Sequence, residues 1–250
     1  MKHLLSWVIT PFYIVLFLLT MGAWHPFIAL SYYLGPRIYR SVIAIGNGIL
    51  LLELRLLGTR ISVHGLSQIP VGRPLIIVSN HQSLFDIPLL LWTLRSKGPC
   101  FIAKKELGRG IPSMSHALRN MGAALIDRGD PKAAISAIEA LGRRVNEQGE
   151  AAIIFPEGTR ARNGRLKAFK VQGILALLRT MPDAVIVPAA ISGSWRLTSN
   201  NFMPIGLGAQ IRLNFLPAIT PSSVDSCPPE VERSIESALT AEERRSHATT

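Results

Sequence analysis

The sequence predicts an α/β domain with a central mostly parallel or mixed sheet flanked by helices, preceded by an N-terminal apolar helical membrane anchor. Two observations support this fold class. Short apolar segments of strand length alternate with longer segments of helical periodicity along the body of the chain, a pattern typical of helices packed on a central sheet. The longest apolar run is concentrated near the N-terminus instead of being spread evenly, which is typical of a membrane segment.

The anchor is predicted from Leu4 to Pro36, where the chain has no Asp, Glu, Lys or Arg. A helix of 33 residues would be about 50 Å long, whereas the bilayer core is about 30 Å thick. Pro11, Pro26 and the Gly35-Pro36 pair are expected to break the run. Two arrangements remain open: a span followed by an interfacial helix, or two short helices folded back into one leaflet. A cleaved signal peptide is disfavoured, because the stretch is long and lacks a small-x-small cleavage pattern.

The chain is predicted to comprise a membrane-associated helical segment (1–58), an α/β domain (59–220) and a tail with one helix (221–250). The second region contains the predicted strands. These are Arg60 to His64, Leu75 to Ser79, Cys100 to Ala103, Ala123 to Ile126, Ala151 to Phe155, Ala184 to Ala190 and Gln210 to Phe215.

Three helices, and one strand of alternating apolar and polar residues, are indicated by their sequence patterns. Ser41 to Leu57 is amphipathic or buried, and Pro131 to Glu147 carries one apolar stripe behind Asp130 as its N-cap. A terminal helix follows Cys227. Only Gln210 to Phe215 alternates cleanly between apolar and polar residues, which favours an edge strand.

The body of the protein is strongly cationic. The whole chain has a formal charge of +11, and residues 1–224 hold 24 basic and 10 acidic residues. Such a charge suits nucleic acid, anionic lipid headgroups or a phosphorylated substrate, but beside an apolar anchor lipid is favoured, and no nucleic-acid motif is present. Basic residues directly after the apolar run predict an inner or cytoplasmic membrane location with the domain in the cytoplasm. They are Arg37, Arg40, Arg55 and Arg60.

The two cysteines and the histidines show no metal-ligand spacing. Cys100 and Cys227 form no CxxC pair, so neither a metal site nor a disulfide framework is predicted.

The first candidate catalytic segment runs from Asn80 to Asp86, where a predicted strand ends and a helix begins. Ligands of α/β sheets gather at this strand end. His81 and Asp86 would point about 140° apart on one continuous helix, but Pro88 is typical of a first helical turn, which places His81 in the loop before it. The carboxylate then reaches the imidazole, which is suited to take a proton from an attacking hydroxyl. Alternatively, Asp86 is an ordinary N-cap beside a loop histidine.

The second candidate is the turn Phe155-Pro156-Glu157-Gly158-Thr159-Arg160, which again follows an apolar strand. Gly158 lets an oxygen approach the backbone, and Arg160 has the planar fork that suits phosphate. Glu157 is expected to accept a hydrogen bond from a substrate hydroxyl or to hold Arg160 in place. Further cations at strand ends, Lys105 and Arg128, are candidates for the same phosphate site.

In their order and separation these segments resemble the lysophosphatidic acid acyltransferase (1-acylglycerol-3-phosphate acyltransferase) family of glycerolipid acyltransferases. The resemblance covers roughly Leu75 to Gly193 and rests on the H-x4-D block, His81 to Asp86, and the EGTR block, Glu157 to Arg160. The region from Lys105 to Arg128 and the later Val187-Pro188 also match.

The resemblance implies phospholipid biosynthesis by acyl transfer to 1-acyl-sn-glycerol 3-phosphate, with membrane lipids as partners. It implies His81 as general base, Asp86 as its orienting partner, and substrate binding by the cations and the EGTR block. The implied substrate-binding residues are Lys105, Arg128, Glu157, Gly158, Thr159 and Arg160. It further implies an acyl-CoA or acyl carrier protein thioester as co-substrate and no cofactor.

One departure leaves the acceptor open. Relatives often have an aromatic pair and a glycine after Ile-Pro, whereas this chain has Ile111-Pro112-Ser113-Met114-Ser115-His116. This segment is expected to border the acyl or acceptor site, with His116 on a helix surface. Acyl transfer to another lysolipid, such as a lyso-amino-acid lipid, therefore remains an alternative, as does a non-catalytic membrane lipid-binding protein. A hydrolase is disfavoured, because no G-x-S-x-G elbow is present.

Overall fold

A seven-stranded sheet forms the centre of the domain in the computed structural model, which describes residues 2–127, 129–220 and 227–248 and omits the side chains of 2 and 246–248. The strand order is β1-β7-β6-β2-β5-β3-β4. The sheet is mixed, because β6 and β7 pair antiparallel and the other neighbours pair parallel. The strands are β1 Arg60–His64, β2 Leu75–Ser79, β3 Pro99–Lys104, β4 Ala124–Ile126, β5 Ala151–Ile154, β6 Val185–Ser192 and β7 Gln210–Phe215.

Helices cover both faces of this sheet. Their bounds are α1 Lys2–Tyr32, α2 Pro36–Glu53, α3 Asp86–Thr93, α4 Met114–Asn120, α5 Pro131–Gln148, α6 Val171–Thr180, α7 Trp195–Thr198 and α8 Cys227–Ala248. The alternation of side chains along β2 shows the two layers: Leu75 and Ile77 join the core beneath α1, α2 and α3, while Ile76 and Val78 join the core beneath α5, α6 and α8. The predicted fold class is confirmed.

The clearest sequence patterns are reproduced. Helix α5 begins at Pro131 behind Asp130, whose carboxylate accepts a hydrogen bond from the backbone N–H of Ala133 at 3.0 Å. Strand β7 has the predicted bounds, but the prediction that it lies at an edge is wrong, because it pairs with β1 on one side and β6 on the other. Its alternation has another cause: one face is buried in the core, and on the other Arg212 forms an ion pair with Glu242 of α8.

The expected breaks at Pro11 and Pro26 are also wrong, because α1 runs through both prolines and ends at Tyr32. Proline removes one backbone N–H and crowds the preceding turn, but packing against neighbouring helices makes this tolerable in apolar helices. Contacts hold α1 near both prolines. The Thr10 hydroxyl donates to the Ser6 carbonyl at 2.6 Å, and the Ser113 hydroxyl of the domain donates to the Met21 carbonyl at 2.7 Å. Of the breaks expected between Leu4 and Pro36, the one at Gly35-Pro36 is present, because it separates α1 from α2.

Helices α1 and α2 form a hairpin that lies on the domain. Trp24 of α1 donates from its indole N–H to the Val42 carbonyl of α2 at 3.0 Å. Toward the N-terminal end of α1, Thr10 accepts a hydrogen bond from the Ile205 backbone N–H at 3.0 Å. The opposite face of α1 exposes large apolar side chains, including Leu4, Leu5, Trp7, Val8, Phe12, Val15, Leu18, Leu19, Phe27 and Leu30. Helix α1 is long and apolar enough to cross a membrane over His3–Tyr32.

The hairpin also contacts the loop that carries the candidate catalytic residues. Tyr13 and Phe17 of α1 pack against Phe85, with ring centroids 6.5 and 6.2 Å apart. Because Phe85 directly precedes α3, this contact places the apolar hairpin next to the first turn of that helix.

Candidate active site

Three neighbouring strands bring the candidate residues together. Strand β2 lies between β5 and β6 and runs parallel to both, so the carboxyl ends of all three lie at the same edge of the sheet. His81 follows β2, Glu157 follows β5, and Ser194 follows β6. This is the edge at which α/β folds bind ligands.

The predicted contact between His81 and Asp86 is present. Asp86 is the first residue of α3, directly after the N-cap Phe85, and His81 lies in the preceding loop. The Nδ1 of His81 is 2.9 Å from Oδ2 of Asp86. Because a carboxylate accepts hydrogen bonds, Nδ1 carries the proton and Nε2 has the free lone pair.

Asp86 is fully buried and surrounded by donors. Its Oδ2 also accepts hydrogen bonds from the backbone N–H groups of Gln82 at 2.6 Å and Ser83 at 2.8 Å. Its Oδ1 accepts one from the Ser194 hydroxyl at 2.6 Å. A buried carboxylate needs such partners, and these hold it in one orientation.

The backbone and ring of His81 are fixed by the loop after β5. The backbone N–H of His81 donates to Oε1 of Glu157 at 2.7 Å, and its carbonyl accepts from the N–H of Ala161 at 2.7 Å. The imidazole stacks on Phe155, with centroids 4.2 Å apart and planes 20° apart. The side chain remains 14% exposed, and among the described residues Nε2 has no hydrogen-bond partner. Nε2 is therefore free to meet a substrate.

Glu157 has two partners that the sequence did not indicate. Its Oε2 accepts from the backbone N–H of Lys167 at 3.1 Å, and its Oε1 accepts from His81. Burial raises the pKa of this carboxyl, while both hydrogen bonds lower it. Glu157 thus joins the loops after β2 and β5, and among the described residues it has no contact with Arg160. Its predicted contact with substrate stays a prediction.

The side chain of Lys170 lies over the turn after Glu157. Gly158 has φ +68°, and its N–H donates to the Phe155 carbonyl at 3.1 Å. A Cβ at this glycine would lie 3.5 Å from Nζ of Lys170, so that ammonium group lies over the turn. Thr159 is exposed. The turn therefore combines a glycine with a nearby cation, which suits the approach of an anion.

Arg160 is half-buried, and its guanidinium has no hydrogen bond or ion pair within the described part of the chain. Burial lowers its pKa, and the neighbouring Arg162 lowers it further. The charge of Asp86 raises it. Arg160 lies close to the His81 loop, because the N–H of the next residue, Ala161, donates to the His81 carbonyl at 2.7 Å. An unpaired, partly desolvated cation favours the binding of an anion.

The other two predicted cations, Lys105 and Arg128, have no described contact with the site. Lys105 is exposed just after β3, which lies beside β5, and no described contact joins it to Arg160. Arg128 lies outside the described residues. The substrate-binding roles of both stay predictions. Within the described ranges, no group of three or more His, Cys, Asp and Glu side chains is arranged to hold a metal ion.

His116 lies on the surface of α4, as predicted, but its side chain is partly buried because it packs against the α1–α2 hairpin. Its Nδ1 lies 2.9 Å from the hydroxyl of Tyr39 on α2. Burial lowers its pKa, and the nearby His25 and Arg119 lower it further. Ser113 lies in the same segment, which differs from the pattern of the relatives. It has φ +62°, and its N–H donates to Nδ1 of His25 on α1 at 3.0 Å. This segment therefore fastens α1 to the domain.

Sequence patterns did not reveal Ser194, which is 108 residues from Asp86. The only local signal is a small polar residue at the end of an apolar strand. Phe155 belongs to the predicted turn, but its stacking on His81 follows only from the packing of β2 beside β5.

Comparisons with known proteins show the family and the fold of the chain. The model of the Acyltransferase family matches residues 60–192, more than half of the chain. The 1-acyl-sn-glycerol-3-phosphate acyltransferase of Cocos nucifera is 38% identical over 153 residues, which are 60% of this chain and 47% of that protein. The enzyme of the same name from Helicobacter pylori is 41% identical over 106 residues, covering 42% of this chain and 43% of that one. The matched region thus spans about half the length of these relatives.

The fold also matches a solved structure. The crystal structure of the 1-acyl-sn-glycerophosphate (LPA) acyltransferase PlsC from Thermotoga maritima superposes with a TM-score of 0.79, at 24% identity, over 97% of this chain and 98% of that one. The match shows that the two proteins share a fold. By the extent of the family match, this chain belongs to the Acyltransferase family.

Proposed function

We propose that the protein transfers a fatty acyl group from a thioester to the free hydroxyl of 1-acyl-sn-glycerol 3-phosphate, giving phosphatidic acid. The observation that carries this proposal is the pairing of His81 with Asp86 at 2.9 Å, with Nε2 of the imidazole free and an unpaired Arg160 nearby. The names of the relatives from Cocos nucifera and Helicobacter pylori support the choice of acceptor.

The proposed reaction is a direct attack of the acceptor on the donor. Nε2 of His81 takes the proton of the hydroxyl as its oxygen forms a bond to the thioester carbonyl carbon. The carbon–sulfur bond then breaks, and the leaving thiolate receives the proton from the imidazolium. Asp86 stabilises the imidazolium between these steps, as the carboxylate does in other histidine–carboxylate pairs. No acyl-enzyme is formed.

The acceptor phosphate is proposed to bind beside Gly158, where Arg160 and Lys170 supply positive charge. A guanidinium can bind phosphate through two parallel hydrogen bonds. Lys105 and Arg128 are proposed to extend this site, and Thr159 is exposed at its rim. The donor is proposed to be acyl-CoA or acyl carrier protein, with no metal or other cofactor.

Replacing Arg160 with alanine is expected to raise the KM for lysophosphatidic acid and to change kcat less. Loss of one hydrogen bond to a charged group costs about 1.5 to 3 kcal/mol, which corresponds to roughly a tenfold to hundredfold weaker binding. Steady-state kinetics with varied acceptor measure the effect. Arg165→Ala is the matched control, because Arg165 is exposed in the same loop; an equal change in both variants would contradict a specific phosphate contact.

We propose that the apolar hairpin holds the domain at the inner membrane with the site on the cytoplasmic side. The exposed apolar face of α1 supports membrane association, and the basic residues after the anchor support the orientation. Because Phe17 of α1 packs against Phe85, the hairpin would place the His81 loop near the bilayer surface, where a lysolipid resides.

The double substitution Leu18→Lys and Leu19→Lys is expected to weaken binding to vesicles at least about tenfold, because two charges then enter the apolar phase. Both side chains are exposed, at 60% and 64%, so folding is expected to be retained. Vesicle sedimentation measures the loss. The matched control, Ser237→Lys with Thr240→Lys on the exposed face of α8, adds the same two charges away from the hairpin. Equal binding by wild type and the Leu18/Leu19 double variant would exclude the exposed face of α1 as the anchor.

An acceptor panel tests the proposed substrate. The purified, detergent-solubilised protein is offered lysophosphatidic acid, a lyso-amino-acid lipid and lysophospholipids with larger headgroups, each with an acyl-CoA and an acyl carrier protein donor. We expect phosphatidic acid as the main product. Faster acylation of another lysolipid would move the assignment to that acceptor, and the absence of product from every pair would favour the non-catalytic lipid-binding alternative.

A further inference from the structure

The two oxygens of Asp86 are used unequally. Oδ2 accepts three hydrogen bonds, from His81 Nδ1 at 2.9 Å and from the N–H groups of Gln82 and Ser83 at 2.6 and 2.8 Å. Oδ1 accepts its bond from the Ser194 hydroxyl at 2.6 Å. Asp86 and Ser194 are both 0% exposed, so solvent is excluded from both partners. The hydroxyl therefore determines where Oδ1 lies.

Strand packing brings Ser194 to this position. It follows the carboxyl end of β6, which pairs with β2, and it comes directly after Gly193. Gly193 has φ +80°, and a Cβ there would lie 1.9 Å from the Gln210 carbonyl of β7. The tight passage of Gly193 against β7 turns the chain toward α7. The Ser194 carbonyl then accepts from the Leu197 N–H at 3.2 Å, which fixes the backbone from which the hydroxyl extends.

We propose that Ser194 is a positioning residue of the His81–Asp86 pair. Its hydroxyl fixes the rotation of the Asp86 carboxylate, so that Oδ2 stays on His81 Nδ1. The inference rests on the proposed acyl transfer for its consequence in catalysis. Without the hydroxyl, Oδ1 is a buried acceptor that lacks a donor, a costly arrangement. Rotation of the carboxylate can bring Oδ1 to the N–H groups of Gln82 and Ser83 only by taking Oδ2 away from them and from His81 Nδ1. The imidazole then loses its fixed orientation.

A set of three variants separates this role from simple filling of space. Ser194→Ala removes the donor, and Ser194→Cys keeps a group of similar size that donates only weakly. Ser199→Ala, in an exposed position five residues later, is the matched control. We expect Ser194→Ala to lower kcat about tenfold to hundredfold, with KM for lysophosphatidic acid changed less than about threefold and the control unchanged. Ser194→Cys should lie closer to Ala than to the wild type.

The contact itself is measured by proton NMR of protein labelled with ¹⁵N-histidine. The proton on Nδ1 of His81, which is hydrogen-bonded to the Asp86 carboxylate, is expected to give a downfield resonance. This resonance should be missing from the spectrum of His81→Ala. In Ser194→Ala it should move upfield or broaden, and in Ser199→Ala it should stay in place. This readout needs no turnover, so it still tests the positioning role if the wild type acylates no lysolipid and the proposed function fails. An unchanged resonance in Ser194→Ala, or a Cys variant equal to the wild type in both measurements, would overturn the inference.

Discussion

Replacing His81 with alanine is expected to lower kcat at least about a hundredfold, the lower range for a positioned general base. The imidazole is the group with a free ring nitrogen at the carboxyl ends of β2 and β5. Folding should be retained, because the backbone hydrogen bonds of residue 81 to Glu157 and Ala161 do not use the side chain. Initial rates with saturating donor and acceptor measure the change.

The matched control for this variant is His64→Ala, which removes an exposed histidine at the end of β1. It should leave kcat and membrane association unaltered. Equal turnover by wild type and His81→Ala would end the assignment of this residue as the base. A loss of activity accompanied by a lower melting temperature would instead indicate a structural role.

Replacing Asp86 with alanine is expected to reduce both activity and stability. The substitution removes the acceptor of the backbone N–H groups of Gln82 and Ser83, of His81 and of the Ser194 hydroxyl. Unpaired buried donors cost about 1 to 3 kcal/mol each. We expect kcat to fall at least as far as in His81→Ala and the free energy of unfolding to fall by several kcal/mol.

Chemical denaturation of Asp86→Ala and His81→Ala separates the role of Asp86 in stability from its role in catalysis. Asp86→Asn is an intermediate case, because it keeps the volume and one acceptor but turns an amide N–H₂ toward a group of donors. Its stability should lie between those of the wild type and Asp86→Ala. If Asp86→Ala unfolds at the same denaturant concentration as His81→Ala, the carboxylate does not organise the loop as described.

Much of the fold was predictable, because each strand is a short apolar segment with a clear start. The bounds of β1, β2 and β7 agree with the structure, and the others differ by one or two residues at their ends. The placement of His81 in a loop followed from Pro88, which lies in the first turn of α3. A proline at that position sets where a helix begins, so local sequence was sufficient there.

The wrong predictions, an edge position for β7 and helix breaks at Pro11 and Pro26, concern features that depend on tertiary packing. The alternation of β7 reports that one face is buried, and both edge and internal strands can have such a face. Pro11 and Pro26 are accommodated because α1 is held by α2 and by the domain. Local sequence contains neither constraint.

The partners within the site were equally inaccessible to local patterns. The hydrogen bond of Glu157 to the backbone of His81 requires the adjacency of β2 and β5, and the contact of Ser194 with Asp86 requires that of β2 and β6. Strand order in a parallel sheet is set by connections that span many residues. The motifs thus indicated which residues carry the chemistry, and the topology determines what holds them.

The most direct test of the proposed reaction is a single turnover followed by rapid quenching. Excess protein is mixed with labelled acyl thioester and lysophosphatidic acid, and phosphatidic acid, free thiol and acyl-protein are measured together. We predict that phosphatidic acid and thiol appear at the same rate, that no acyl-protein accumulates, and that His81→Ala is slower by at least about a hundredfold. Thiol release that precedes the product through an acyl-protein, or equal rates in the two proteins, would contradict direct attack assisted by His81.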